Sequence, residues 1–420
     1  MHSTLLFLIQ FLVVLIAARL CSLVLSRLHQ PPVVGEMAAG LLLGPIVFGA
    51  WLPELHGALF DKASLSAFSG LATLGVTLFM FIVGVELRAP GGNRKQLGAA
   101  LAVGVPGIVL PLGLGLAIAP ALHPEFAPEG VGFWPFALFI AAAMSVTAFP
   151  VLARILKDNR LTRSTPGRLA LSAAVIDDAC VWIFLAAVLA LTGKGSGVDV
   201  VFPVAGALVL VVIVFLVLKP LCARLLRSVA NDEALSASGF AWLMAGVLAC
   251  AAFAEWIGLH AIFGAFLFGL ALPREDRLLH VLARRIEPVA IGLLMPVLFA
   301  LAGQSTTPEA LTGAGLGAFG LILTVAIFGK IGGCAAGARL NGTGWRDSFA
   351  VGSLMNARGL MELVVIKIGL DVGLIGPELF TMLFGMTLVT TLMASPLLRL
   401  FHRRDGRDFE RAVARVQGTD

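Results

Sequence analysis

Long apolar runs dominate this sequence and constrain its fold more than any single motif does. Lipid offers no hydrogen-bond partners, so a run that crosses it must satisfy its backbone internally, as a helix does. We identify thirteen runs of roughly the length needed to cross about 30 Å of hydrocarbon. They cover residues 4–25, 33–50, 66–87, 97–119, 133–153, 169–192, 200–218, 235–254, 257–273, 288–303, 312–338, 347–369 and 376–398. The sequence therefore predicts an all-α polytopic membrane protein with about 13 transmembrane helices.

The composition agrees with this interpretation and excludes several classes of protein. Hydrophobic residues make up 59% and charged residues 13% of the chain, and its mean hydropathy is +0.97. Soluble domains carry about 25% charged residues. We find no P-loop, nucleophile elbow or metal-ligand cluster, so we expect no enzymatic activity and no cofactor. The five cysteines show no paired spacing, which favours inert buried thiols over disulfides.

Basic residues alternate between the two sides of the predicted spans. Most of the 30 Lys and Arg residues lie on alternate connections, while the opposite connections hold only Lys62 and Lys194. By the positive-inside rule, the C-terminus is cytoplasmic, and thirteen spans then place the N-terminus outside. We expect a multi-pass protein of the cytoplasmic (inner) membrane. Because the basic patches are short and juxtamembrane, we interpret them as topology signals and expect no nucleic-acid partner.

Weak internal similarity indicates two repeats of inverted topology. Spans 2 and 9 share a pattern of two glycines and a proline, in which Gly44 corresponds to Gly269, and Gly84 in span 3 corresponds to Gly303 in span 10. We divide the chain into a first repeat (1–192), a linker span (193–234), a second repeat (235–398) and a short basic tail (399–420). Because the linker crosses the membrane once, the second repeat has the opposite orientation in the membrane to the first, as in many secondary transporters. We expect no regulatory nucleotide-binding domain, since the tail is short.

The fifth span of each repeat is interrupted. Pro150 in span 5 removes a helix donor near Ser145 and Thr147. The sequence of span 12, SLMNARGLMELVVIKIG (353–369), includes Arg358 and Glu362. Interrupted spans at corresponding positions indicate a binding site, because unwound backbone exposes carbonyl groups there.

Two adjacent aspartates, Asp177 and Asp178, lie within span 6, where a charge is costly and therefore suggests function. At 1.5 Å per residue, Asp177 and Lys330 each lie roughly 13 Å from the cytoplasmic side. Arg358 and Glu362 are spaced to pair at i, i+4, so Lys330 takes one aspartate and the other is left for a transported ion. A carboxylate that binds either a proton or a cation suffices for antiport. A static ion network is the alternative.

Several motifs resemble those of the second cation:proton antiporter family, which includes Na+/H+ exchanger and potassium-efflux antiporter relatives. They are QPPVVGEMAAGLLLGP (30–45), SVTAFPVLARIL (145–156), AAVIDDACVWI (173–183), GLHAIFGAFLFGLALP (258–273), the pair GK (329–330), and LMNARGLMELVVIKIGLDVGLIGPELFTMLFGMTLVTT (354–391). The resemblance implies the Na+/H+ antiporter-like fold, with crossed broken helices, a mobile core and a homodimer.

The resemblance also implies roles for individual residues. Asp178 would be the carrier of cation and proton, with Thr147 and Ser145 supplying hydroxyls beside the ion, so Asp178 and Thr147 would be the metal ligands. Asp177 and Lys330 match the pair found in electrogenic members. Arg358 and Glu362 match the charged pair of the second broken helix and compensate charge together with Lys330.

From residues and resemblance together, we predict a secondary active transporter that exchanges a monovalent cation for H+ by an elevator-like motion. Na+ is the expected ion, with Li+ and K+ as alternatives. A gated cation channel and an organic-anion symporter on the same plan are the rival functions. Glu36 and His260 are candidates for pH sensing or for lining a funnel, although local packing roles are the simpler interpretation.

Overall fold

The computed structural model describes residues 3–86, 94–159, 161, 164–191, 197–226, 236–258, 260–273 and 275–401. Within these ranges every regular element is a helix. The α-helices are α1 Ser3–Arg27, α2 Pro32–Leu43, α3 Pro53–Leu59, α4 Lys62–Glu86, α5 Arg94–Phe126, α6 Phe133–Ser145, α7 Phe149–Asp158, α8 Thr165–Leu191, α9 Gly197–Val212, α10 Lys219–Leu225, α11 Ala237–Trp256, α12 Ala261–Ala271, α13 Asp276–Val289, α14 Met295–Gln304, α15 Ala314–Leu340, α16 Trp345–Met355, α17 Leu360–Asp371 and α18 Pro377–Phe401. Short π-helical turns occupy Pro45–Gly49, Ile213–Leu218 and Ala290–Leu294, and a 3₁₀ turn occupies Pro308–Leu311.

Fewer membrane spans are found than the sequence predicted. Among the described residues, ten helices are long and apolar enough to cross a membrane, and the bent pair α16–α17 would make eleven. The number thirteen is therefore not confirmed. The predicted ninth span forms α12, which has only 11 residues and covers about half of a 30 Å core. The predicted sixth span lies on α8, which is not among the ten.

Some predicted features lie outside the described residues. They include most of the basic tail (402–420), two parts of the linker region (192–196, with Lys194, and 227–235) and the basic connection at 87–93.

The helices pack as two groups, each of which draws on both halves of the chain. Group A consists of α1, α2, α4, α11, α12 and α14, which pack on one another. Group B consists of α5, α6, α7, α8, α15, α16, α17 and α18. Group B contains both interrupted spans and the helices that carry Asp177, Asp178 and Lys330. The candidate site is thus built within one packed body.

Two pairs of glycines bring the backbones of group A into direct contact. A Cβ atom added to Gly44 would lie 2.3 Å from the carbonyl oxygen of Gly303, which joins α2 to α14. A Cβ atom added to Gly269 would lie 2.9 Å from Cα of Gly84, which joins α12 to α4. Helices this close exclude any larger residue at these positions.

Both predicted interruptions are present, and they meet. The chain leaves helical geometry at Val146 and resumes it in α7, where Pro150 occupies the first turn and its missing N–H is harmless. The second break separates α16 from α17, which are inclined at 46°, and Gly359 supplies a φ of 156° there. The backbone N–H of Ala148 donates to the carbonyl of Ala357 at 3.1 Å, so the two breaks cross.

Candidate ion-binding site

The C-terminus of α6 lies at the centre of the crossing, and two basic side chains bind its carbonyl groups. The last carbonyls of a helix have no partner within it and carry a partial negative charge. Arg358 donates to the carbonyls of Ala143 at 2.9 Å and of Met144 at 2.6 Å. Lys330 donates to the carbonyl of Ser145. These carbonyls, freed by the break, are therefore occupied by residues of the protein itself.

Lys330 also forms the ion pair on which charge balance in the site depends. Its ammonium nitrogen lies 3.0 Å from Oδ1 and 3.1 Å from Oδ2 of Asp177, and both side chains are fully buried. Asp177 thus has a basic partner, and the pair is neutral when both groups are charged.

Asp178, the next residue along α8, has a different environment. Only 3% of its surface is exposed, and no ion pair to it is present among the described residues. It accepts a hydrogen bond from the backbone N–H of Phe149, at the N-terminus of α7, where helix geometry favours an anion. Its Oδ2 atom is buried and has no hydrogen-bond partner in the described part of the chain. A buried carboxylate oxygen without a partner is costly and is a natural ligand for a proton or a cation.

The second break holds a further buried ion pair. Arg358 lies 2.9 Å from Oε2 of Glu362, four residues along α17, and both side chains are fully buried. The Thr391 hydroxyl of α18 accepts from the Arg358 backbone N–H at 3.1 Å and lies 2.9 Å from the Arg358 carbonyl oxygen. Arg358 is therefore held by its backbone and by its side chain.

The structure brings six of the predicted residues into one buried region at the crossing. Thr147 reaches across it and donates to the carbonyl of Met355 at 3.3 Å. The Ser145 hydroxyl instead donates to the Ala141 carbonyl of its own helix at 2.7 Å, while its carbonyl binds Lys330. Asp177, Asp178, Lys330, Arg358, Glu362 and Thr147 make up this region.

Glu36 and His260 lie elsewhere, in group A. Glu36 is buried on α2, where the charge of Arg19 acts on it. His260 precedes α12 and lines a cleft of about 50 Å³ between group A and α17, together with Lys367 and Asp371. No hydrogen bond or ion pair links either residue to the crossing among the described residues. Their roles remain sequence-based predictions.

The site offers oxygen ligands of the kind that alkali cations take. No group of three or more His, Cys, Asp or Glu side chains forms a metal site in the residues the structure describes. The unpartnered Oδ2 atom of Asp178 is a hard oxygen ligand, the type that alkali cations take.

Sequence reasoning missed Thr391. The signal available was the pair of threonines at 390–391 inside an otherwise apolar helix, since hydroxyls in a span often bond between helices. It also missed the Phe149 amide, because the partner of a backbone group cannot be read from residue type.

Comparison with known proteins agrees with this geometry. A family model described as the transmembrane part of sodium/hydrogen exchangers matches residues 12–401. The chain is 36% identical over 400 residues to the Na(+)/H(+) antiporter NhaS4 of Synechocystis, covering 94% of this chain and 97% of that protein. It is 34% identical to K(+)/H(+) antiporter 1 of Saccharomyces cerevisiae, covering 96% of this chain but only 47% of that protein. Several other curated relatives are likewise about twice the length of the matched part.

A solved structure has the same fold. The sodium proton antiporter MjNhaP1 of Methanocaldococcus jannaschii superposes with a TM-score of 0.66, over 95% of this chain and 98% of that chain, at 13% identity. The family match over residues 12–401 identifies a membrane ion transporter. The chain belongs to the sodium/hydrogen exchanger family, and its membership supports cation:proton antiport across a membrane that the protein spans several times.

Proposed function

We propose that this protein exchanges a monovalent cation, with Na+ as the preferred ion, for H+ at Asp178. The observation that carries the proposal is the contrast between two neighbouring carboxylates. Asp177 is neutralised by Lys330, whereas Oδ2 of Asp178 is buried without a partner among the described residues. An exchanger needs at least one carboxylate that is free to bind either ion, while the other buried charges around it are paired.

The free-energy cost of burying its charge allows this carboxylate to couple cation transport to proton transport. An uncompensated charge is expensive to move through a low-dielectric core, whereas a protonated or cation-bound carboxylate is neutral. Only the loaded forms therefore cross readily between the two sides. Since proton and cation compete for one carboxylate, transport of one ion in one direction requires transport of the other ion in the opposite direction. Competition also predicts that the half-saturating cation concentration rises as the pH falls.

The packing supports an elevator-like motion of group B against group A. Group B holds all six residues at the crossing, while group A is fastened internally by the Gly44–Gly303 and Gly84–Gly269 contacts. In the repeat that we predicted from sequence, span 2 corresponds to span 9 and span 3 corresponds to span 10. Under this correspondence, the Gly44–Gly303 contact maps onto the Gly269–Gly84 contact. We propose that group A is the static part and forms the homodimer.

The Asp177–Lys330 pair supports electrogenic exchange. A carboxylate and an ammonium that can separate give the site a second exchangeable charge beyond Asp178. We propose that more than one proton is exchanged per cation and that Lys330→Gln makes the exchange electroneutral. The protein would act in the inner membrane with its C-terminus in the cytoplasm, and cations would leave the cell under the usual proton gradient.

Purified protein in proteoliposomes tests the function directly. Proton flux is recorded with a pH-sensitive dye after addition of Na+, Li+ or K+, with the membrane potential free or clamped to zero. We expect cation-dependent proton flux with the lowest half-saturating concentration for Na+. A lower value for K+ would overturn the choice of ion, which the name of the yeast relative offers as the alternative. Cation flux without proton counterflow would instead indicate a channel, and flux driven only by an organic anion would indicate a symporter.

A further inference from the structure

We infer that Thr391 is a positioning residue for transport: its hydroxyl fixes the backbone of Arg358, and thereby the end of α6 to which both Arg358 and Lys330 bind. The inference rests on the proposed function. The Thr391 hydroxyl is the only side-chain group that an observed hydrogen bond joins to the Arg358 backbone in the described residues.

The Thr391 hydroxyl contacts both backbone polar groups of Arg358, its N–H and its carbonyl, within the second break. The Thr391 oxygen accepts from the Arg358 N–H at 3.1 Å, lies 2.9 Å from the Arg358 carbonyl oxygen and 2.7 Å from the carbonyl oxygen of Thr387. A hydroxyl has one proton and two lone pairs, so it accepts the N–H while donating to one of the two carbonyls. Buried backbone groups outside a helix need such partners, and no helix supplies them at Arg358.

Fixing the backbone aims the guanidinium. Arg358 reaches the carbonyls of Ala143 and Met144 at the end of α6, and one residue later the chain turns through Gly359 with a φ of 156°. A shift of this peptide would swing the side chain away from both carbonyls. Thr391 therefore ties α18 to the crossing through Arg358.

The position of Arg358 reaches the transport site through the end of α6. Arg358 binds the carbonyls of Ala143 and Met144, and Lys330, the counterion of Asp177, binds the next carbonyl, that of Ser145. A shift of Arg358 therefore displaces the helix end that also holds Lys330, and leaves the charge of Asp177 less well compensated. An uncompensated negative charge beside Asp178 disfavours the ionised state of Asp178, so the proton becomes a stronger competitor for that carboxylate.

The test compares Thr391→Val, which keeps shape and loses the hydroxyl, with Thr391→Ser, which keeps the hydroxyl and loses the methyl. Thr387→Val is the matched control, because Thr387 is equally buried on the same helix and its side chain bonds only to the Leu383 carbonyl in the described structure. Each variant is purified, checked by size-exclusion chromatography and reconstituted. Half-saturating cation concentration, maximal rate and pH profile are measured for each.

We expect Thr391→Val to raise the half-saturating cation concentration about 3–10-fold and to move the acidic limb of the pH profile by about 0.5–1 unit to higher pH. Thr391→Ser and Thr387→Val should keep the wild-type profile. An unchanged profile in Thr391→Val overturns the inference, as does an equal shift in Thr391→Ser. If Thr391→Val does not fold, Thr391→Cys replaces it, because a thiol is a weak donor and acceptor. Wild-type protein without any cation-dependent proton flux would instead overturn the proposed function.

Discussion

The ammonium group of Lys330 lies 3.0 Å from Oδ1 and 3.1 Å from Oδ2 of Asp177, and neither side chain is exposed. The same ammonium group donates to the carbonyl of Ser145 at the end of α6. Lys330 thus joins α15, α8 and the first break. Because it bridges both oxygens of Asp177, the charge of Asp178 is left without a counterion among the described residues, and the chemistry of transport centres on that group.

Removing Lys330 should destabilise the protein strongly. Lys330→Gln leaves the carboxylate of Asp177 buried without a counterion, which costs about 3–5 kcal/mol. The double variant Lys330→Gln/Asp177→Asn removes both charges and should recover most of the loss. Thermal unfolding of the detergent-solubilised variants measures the effect.

The control for that experiment is an ion pair at the surface. Lys367 and Asp371 pair with 25% and 49% of their side chains exposed, so Lys367→Gln should cost less than about 1 kcal/mol. If Lys330→Gln were as stable as Lys367→Gln, the buried pair would not have the role assigned to it.

The second break depends on glycine at position 359. Its φ of 156° disfavours any side chain, and an added Cβ atom would lie 2.9 Å from Cγ2 of Val151. Gly359→Ala should therefore lower stability by about 1–3 kcal/mol. Adding Val151→Ala should restore only part of this, because the steric contact is relieved and the backbone strain remains.

A helical glycine with open space provides the comparison. Gly317 lies in α15, and an added Cβ atom would meet no other atom within 4 Å. Gly317→Ala should leave the melting temperature unchanged or raise it, since alanine favours the helix. Equal losses in Gly317→Ala and Gly359→Ala would contradict the assignment of strain to the break.

The predicted orientation can be read from chemical labelling. Leu55 on α3 is 55% exposed and falls on the predicted outer side, whereas Leu340 at the end of α15 is 84% exposed and falls on the cytoplasmic side. In a background without the five native cysteines, a membrane-impermeant maleimide should label Leu55→Cys in intact cells. Leu340→Cys should be labelled only after permeabilisation. The reverse pattern would invert the topology, and labelling of both from one side would refute the number of spans between them.

Much of the architecture could be predicted from sequence because lipid imposes a simple rule on the chain. Apolar runs had to become helices, and Pro150 together with the Asn356–Gly359 segment marked the two places where a helix stops. The number of spans was harder, since α12 is apolar but only 11 residues long. Apolarity reports burial in lipid or protein alike, so it cannot separate a full span from a short buried helix.

The site shows a similar division. Residue type and depth indicated that Asp177, Asp178, Lys330 and Arg358 should gather at one level, because each would be costly alone. The partners of the α6 carbonyls were not foreseen: the carbonyls of residues 143–145 bind Lys330 and Arg358. Such contacts join side chains to backbone atoms far away in sequence, and no local pattern encodes them. That carbonyls near residues 146–148 bind the transported ion stays a prediction.

The central claim is that one carboxylate, that of Asp178, carries both ions. Its most direct test is cation-dependent proton flux in proteoliposomes that contain Asp178→Asn, beside Asp371→Asn as a control outside the crossing. Asparagine keeps the size of the side chain and can neither release a proton nor neutralise a cation. We predict that Asp178→Asn inserts and elutes as the wild type does but shows no flux with any alkali cation, while Asp371→Asn stays active. Exchange by Asp178→Asn at the wild-type rate would contradict the account.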